Sequence, residues 1–295
     1  MQTAFVIGGA GFVGQHLVRH LAAHGMRVLA TCRSTASASP VNGVEWVPSD
    51  LAATDASKNW PTHYDALIYL AQSPRWRDFP AAADDIVRVN VCALQQAAEH
   101  ARHAGAKRFI HMSTGTVYSQ TREPAREDEP IRTDASRSFY AATKLAAELL
   151  VAPYYTSFGV TQLRLFMPYG SGQNDKMLLP AIVSKVRSGM SVDLHGADGL
   201  RCNPVAVDDV SEVVRRCLML DGSQTLNVAG PEVLTLRQVA DAIGKTIGRE
   251  PRFNSKPESP PVIVGDTSRL RATLGWQPPT RFVDGVRDWL KSLGG

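Results

Sequence analysis

Nine residues near the start, VIGGAGFVG (Val6–Gly14), leave the chain few ways to fold. They join a β-branched apolar run, TAFVI, to an amphipathic helical pattern, VGQHLVRHLAAHG, and place glycine at positions 8, 11 and 14. Glycine permits the tight turn, lets the backbone approach a pyrophosphate, and lets the helix pack close to the strand. The helix N-terminus meanwhile turns its free N–H groups toward phosphate charge. Strand, glycine turn and helix in that order open a βαβ unit. Gly8, Gly11 and Gly14, with Phe12 and Val13 between them, are therefore expected to bind a dinucleotide.

The alternation continues. RVLATC, VEWV, ALIYL, KRFIHMS and VTQLRLF read as strands, and an Ala-rich stretch from about Ala81 to Ala104 and SFYAATKLAAELL read as helices. Strands alternating with helices and lacking hairpin signals mean parallel pairing with both sheet faces covered. The expected fold class is α/β, a doubly wound parallel sheet (Rossmann) with a smaller C-terminal substrate-binding lobe. The expected boundaries are 1–170 plus about 203–232 for the dinucleotide-binding domain, and about 171–202 with 233–295 for the lobe. The lobe's helical patterns, LLPAIVSKVRSG, LRQVADAIGKTIG and TRFVDGVRDWLKSLG, are separated by the Pro/Ser-rich SKPESPPVIVG. They read as too scattered for an independent core, and as capping the C-terminal edge of the sheet.

Composition excludes several classes. With 295 residues and 44% hydrophobic content the chain can bury a large core. A net charge of +4 with no run of five like charges argues against a nucleic-acid partner, and suits an anionic small molecule. Cys32, Cys92, Cys202 and Cys217 stand far apart with no C-x-x-C pair, so neither a zinc site nor a disulfide framework is expected. The first apolar run is too short for a signal segment, and no stretch approaches the roughly 20 apolar residues of a membrane span. A cytoplasmic protein without membrane contact is expected. His16, His20 and His24 recur every fourth residue, but Leu17, Val18 and Leu21 give that helix its buried face. The histidines then form a solvated stripe rather than a metal site. His100 and His103 read the same way, and no metal is expected.

Tyr140 and Lys144 stand one turn apart on one face of SFYAATKLAAELL. Alone, the pair reads first as a packed tyrosine and a wet lysine. At the end of the second strand an NAD site would place Asp or Glu, to bind the ribose 2′-hydroxyl. This chain has Cys32 and then Arg33, and a guanidinium suits a 2′-phosphate. NADP is the expected cofactor and NAD the alternative; the other reading of Arg33 is a solvated loop arginine. In PRWRD, Arg75 and Arg77 follow a strand end and read either as a hold on substrate phosphate or as an exposed salt bridge.

Several motifs recur in a known order and spacing: Gly8-x-x-Gly11-x-x-Gly14, SDL at Ser49, YLAQ at Tyr69, MSTGTVYS at Met112 and Tyr140-x-x-x-Lys144. RLFMPYG at Arg164, VDDV at Val207, NVAGPEVLTLRQVADAIG at Asn227 and DTSRLRATLGW at Asp266 follow them. Over essentially its whole length the chain resembles the extended short-chain dehydrogenase/reductases, the NAD(P)-dependent sugar epimerase/dehydratase group. The resemblance implies that Tyr140 is the general acid/base. It implies that Lys144 binds the nicotinamide ribose and lowers the tyrosine pKa, and that Thr114 positions the substrate oxygen. It also implies that Asp50 and Leu51 border the adenine, that Leu70, Ala71, Gln72 and Asn90 line the cofactor cleft, and that Phe166 approaches the nicotinamide. Thr114, Thr116, Met167, Arg201 and Asn203 are the expected substrate contacts, together with Arg75 and Arg77 from the strand end. A homodimer paired through the two Ala-rich helices is implied as well.

Two departures narrow the expectation. Dehydratases of the group usually follow the threonine with Asp-Glu, the acid and base that remove water; here Gly115 and Thr116 stand there. Met167 replaces a frequent asparagine that contacts the nucleotide diphosphate. The expected activity is hydride transfer at a secondary alcohol or ketone, as an epimerase or a reductase, with a (nucleotide-)sugar substrate. The alternatives are a reductase of a non-sugar carbonyl compound and an NADP-binding regulator without turnover.

Overall fold

Short aliphatic runs become strands because both of their faces are covered. Every residue of Ala66–Tyr69 is buried, as is every residue of Thr3–Ile7 after the first. In the computed structural model, which describes residues 2–35, 40–118, 124–129, 131 and 138–292, six strands form in chain order. They are β1 (Thr3–Ile7), β2 (Arg27–Cys32), β3 (Val44–Pro48), β4 (Ala66–Tyr69), β5 (Arg108–Thr114) and β6 (Gly159–Leu165). A seventh, Gln224–Val228, completes a sheet ordered seventh strand, β6, β5, β4, β1, β2, β3. The pairs from β3 to β5 are parallel, with Val6 opposite Ala30 on one side and Ile68 on the other. The strand order reverses between β1 and β4, the switch point at which a doubly wound sheet opens its binding crevice. The expected fold class is the one observed.

Helix α1 (Phe12–Ala23) buries Gly14, Leu17, Val18 and Leu21, the face its sequence offers. The Ala-rich stretch is a continuous helix, but not a uniform one. α2 (Ala83–Val87) passes through a π turn at Arg88–Cys92 into α3 (Ala93–His103). The extra residue in that turn serves Asn90, which is fully buried: its Oδ1 accepts from the Ser73 amide, and its Nδ2 donates to Thr143 on α4 (Phe139–Val151). Ser138 caps α4 by accepting from the Ala141 N–H.

The chain forms two compact units. One comprises Met1–Ser119, Pro130–Arg164 and Ser211–Leu226; the other comprises Gln120–Glu129, Leu165–Val210 and Asn227–Gly295. The second unit corrects the sequence expectation of a lobe without a core. Tyr169, Leu179, Ile182, Val183, Val186, Leu236, Val239, Ile243, Phe282, Val286 and Trp289 make one buried cluster. Its helices Leu178–Ser188, Leu236–Ile247 and Phe282–Ser292 lie far apart in sequence, and each contributes one apolar stripe. Among the described residues no helix is long and apolar enough to cross a membrane. All four cysteines are unpaired.

Candidate active site

The glycine turn is shaped by its neighbours' backbone. Gly8 has φ 89°, and a Cβ there would stand 2.8 Å from the Ala71 nitrogen at the end of β4. At Gly14 a Cβ would collide with the Gly8 carbonyl oxygen, so the helix can start this close to β1 only without a side chain. Gly11 is exposed and caps α1 with no side-chain hydrogen bond, and α1 has no acidic residue in its first turn. Thr31 on β2 accepts the Gly8 N–H at 2.9 Å. These residues fit a dinucleotide pyrophosphate: a close backbone, a helix N-terminus with unspent N–H groups, and no competing carboxylate.

The other expected cofactor residues of this unit lie at the same sheet edge or in turns beside it. Phe12 and Val13 start α1, and Arg33 is exposed one residue past β2, where Cys32 is buried. Asp50 is exposed and accepts the Ala52 N–H, while Leu51 packs on the core. Leu70 donates its N–H to Ile7, Ala71 is buried, and Gln72 is exposed.

β5 ends at Thr114, which caps a 3-10 turn, Gly115–Val117, by accepting the Thr116 N–H at 3.2 Å. Ser119, the end of that motif, lies outside the described residues. Across from Thr114, α4 presents Tyr140, Lys144 and Glu148 at four-residue spacing, all on one face. The Tyr140 hydroxyl donates to Gln72 Oε1 at 3.0 Å, and its ring packs on Trp76 with centroids 4.9 Å apart. Burial pushes the phenol up to about 12, against a hydrogen bond from Thr114 that lowers it. The protein's own groups thus keep the phenol protonated at neutral pH. Lys144 is 2% exposed, and burial pushes its ammonium down to about 8 while the Glu148 charge opposes that. The structure brings Thr114, Tyr140 and Lys144 together.

Behind this face lies a buried polar web that the motifs do not announce. Glu148 forms a forked ion pair with Arg164 on β6, at 2.7 Å between Oε2 and Nη2, with both side chains 7% exposed. Arg164 also donates to the Tyr118 hydroxyl, and Ser113 donates to Glu148. Burial works against the Arg164 charge, but Glu148 outweighs it and holds the guanidinium above its ordinary value. His111 on β5 bonds Gln162 on β6 and approaches Lys144. The web does leave a trace in the sequence: polar side chains at alternate positions, His111 and Ser113 on one strand and Gln162 and Arg164 on the next.

The remaining expected residues have the following surroundings. Asn90 commits its amide to Ser73 and Thr143. Arg75 pairs with Asp78 at 3.5 Å, both exposed, and Arg77 lies over the Trp76 ring at 4.4 Å. Thr116 is exposed beside Thr114. Phe166, Met167, Arg201 and Asn203 belong to the second unit. There Phe166 is buried with Gly265 against its ring, Met167 has φ 43°, Arg201 is exposed, and Asn203 exchanges two hydrogen bonds with the Gly265 backbone. The solvated histidine stripes need correction at His20 and His100, while His24 and His103 are exposed as expected. His100 is half-buried, stacked on Tyr64 and bonded to its hydroxyl at 2.8 Å. His20 bonds Glu212 at 2.9 Å. His20, His24 and Glu212 bring ligand-type atoms within 4.8 Å of one another, but Arg215 and Arg216 both donate to Glu212 and place two guanidinium charges beside it.

Strand order, glycine turn and the tyrosine–lysine helix define a dinucleotide-binding α/β protein. The chain belongs to the NAD dependent epimerase/dehydratase family, whose model matches residues 4–229. It is 27% identical to a dTDP-glucose 4,6-dehydratase of Streptomyces niveus, covering 95% of this chain and 89% of that one. It is 25% identical to a dTDP-4-dehydro-6-deoxy-D-allose reductase of a Streptomyces species, covering 94% and 92%. The solved UDP-glucose 4-epimerase of Thermus thermophilus, in complex with NAD, superposes with a TM-score of 0.83 at 25% identity, covering 100% of this chain and 99% of that one.

The depressed Lys144 value sets a pH dependence. The unfolded chain holds the Lys144 proton up to 10.5 and the folded chain only to about 8, so between these values the unfolded state carries more protons. Stability from this group therefore rises with pH across that window, at up to ~1.4 kcal/mol per pH unit. In urea unfolding, wild type should gain on Lys144→Met as pH rises from 8 to 10. Parallel pH curves would show that the lysine is not strained by its burial.

Proposed function

We propose that the protein moves a hydride between NADP(H) and a secondary alcohol or ketone of a nucleotide sugar, acting as an epimerase or a reductase. The observation that carries this reading is the inner face of α4. A phenol hydrogen-bonded to Gln72 and reached by Thr114 stands one turn from a buried ammonium.

On this reading Gly8, Gly11 and Gly14 hold the pyrophosphate at the N-terminus of α1, Arg33 takes the 2′-phosphate, and Lys144 takes the nicotinamide ribose. NADP, when bound, would supply the hydride acceptor or donor and, in its oxidised form, a positive charge. Thr114 orients the substrate oxygen by hydrogen bonding. Tyr140 would take the proton of the substrate hydroxyl in the oxidising direction and return it to the carbonyl oxygen in the reverse direction. With a phenol raised to about 12, the base form near neutrality depends on nearby positive charge, from Lys144 and the oxidised cofactor together. Gln72 must release the phenol before substrate oxygen can take its place. The nucleotide-sugar class is supported by the names of the three relatives, which span dehydration, reduction and epimerisation. Dehydration is disfavoured because the turn after Thr114 offers Gly115 and Thr116 and no carboxylate.

NADPH should bind more tightly than NADH by about 1–3 kcal/mol if Arg33 makes charge-assisted bonds to the 2′-phosphate. Fluorescence titration of both cofactors, followed by turnover of NADPH against a panel of keto-sugar nucleotides, tests cofactor and reaction in one series. Equal affinities would remove Arg33 from the site, and no oxidation with any member of the panel would favour a cofactor-binding regulator. We also infer a two-fold homodimer through α3 and α4. The outer side of α4 carries Leu149 and Leu150, which are 67% and 45% exposed. Light scattering at micromolar concentration should report twice the mass of one chain; a single-chain mass would contradict the pairing.

A further inference from the structure

Lys144 is among the largest fully buried side chains of the protein, and a buried ammonium has three donors to satisfy. Glu148, the nearest carboxylate on its helix, is already engaged by Arg164 and Ser113. Among the described residues, the side-chain hydrogen-bond partner of the Lys144 Nζ is His111 Nε2, at 3.4 Å. His111 is itself 0% exposed.

Which proton the imidazole carries follows from its other neighbour. The Gln162 Nε2 donates to the main-chain carbonyl of Glu148 at 3.1 Å, and a carbonyl can only accept. That fixes the amide with Oε1 toward His111 Nδ1, at 2.8 Å, so Nδ1 must carry a hydrogen. Nε2 then presents its lone pair to the ammonium. A second proton there would set two donors head to head, and both burial and the Lys144 charge hold the ring's pKa well below its ordinary value. The donors run one way, from Lys144 on α4 through His111 on β5 and Gln162 on β6 back to the Glu148 carbonyl on α4. Such a chain strengthens each of its members. The other titratable groups around it are Tyr69 on β4, whose ring centroid lies 6.4 Å from that of His111, Tyr140 and Glu148 on α4, and Arg164 on β6.

We propose that His111 is the positioning residue of Lys144: a permanently neutral imidazole, locked by Gln162 as the Nδ1–H tautomer, that accepts from the ammonium and fixes where its remaining donors point. This rests on the reading of Lys144 as a cofactor-ribose ligand and assigns that ligand its support. Such a residue acts through Lys144 and touches neither cofactor nor substrate.

Nitrogen-15 NMR of the imidazoles tests the tautomer without any turnover. His111 should show a protonated Nδ1 and an unprotonated Nε2, unchanged from pH 5.5 to 9; an Nε2–H tautomer or a titrating ring overturns the proposal. His111→Phe, checked for a wild-type unfolding transition, should weaken NADPH binding roughly tenfold at pH 7, with a larger loss at pH 9 because an unsupported ammonium gives up its proton sooner. His111→Gln, which restores an acceptor oxygen, should recover most of that loss. In a Lys144→Met background His111→Phe should add nothing, whereas an independent, additive loss would mean that His111 serves packing alone. Should His111→Phe fail to fold, the wild-type tautomer and His111→Gln in both backgrounds still decide. A Tyr140→Phe variant with full turnover would remove the proposed function and leave every one of these outcomes standing.

Discussion

A charge placed where water cannot reach it must be paid for by its surroundings, and in this protein that charge is the ammonium of Lys144. At 2% exposure it is held by the imidazole of His111 and the field of Glu148, and still its proton is loosened to about 8. Glu148 would itself be a buried unpaired anion without the forked guanidinium of Arg164. One helix face thus requires two strands with polar side chains pointing inward, and β5 and β6 supply them. The arrangement costs stability and fixes the lysine and the phenol one turn apart on a single rigid helix. That spacing is what the proposed proton transfer would use.

The sheet decides what this face looks onto. The reversal of strand order between β1 and β4 brings the Gly8 turn against the backbone of Ala71, and the next residue, Gln72, reaches the Tyr140 hydroxyl. Asn90 ties the same neighbourhood from the third side, with one end of its amide on Ser73 after β4 and the other on Thr143 of α4. Asn90 lies buried within the π turn at Arg88–Cys92. Glycine turn, strand end and helix face are therefore held as one frame within the first unit.

How much of this the sequence could disclose follows from how local each signal is. The glycine turn, the alternating strands and the tyrosine–lysine pair are written in contiguous residues, and the strands, α1 and α4 form where the pattern places them. The web behind α4 is written across β5 and β6. His111 and Gln162 are 51 positions apart, and His111 and Lys144 are 33 apart, so nothing local announces that they meet. The core of the second unit is hidden for the same reason, because its helices each carry only a stripe and come together from distant segments. His100 reads as wet because its helix face is polar, yet Tyr64, in the loop before β4, stacks on it and bonds its Nδ1. The direction of the Tyr140 shift is also beyond a motif. The pair implies a lowered phenol, while burial among the protein's own groups raises it to about 12.

The account stands or falls on the phenol of Tyr140, and Tyr140→Phe isolates it by removing a single oxygen. Turnover and NADPH affinity measured on the same folded variant give the direct comparison. The account predicts turnover lower by roughly 10²–10⁴-fold with cofactor affinity nearly unchanged. A variant that turns over a nucleotide-sugar substrate as fast as wild type would show that Tyr140 only packs against Trp76, and that the chemistry, if any, lies elsewhere.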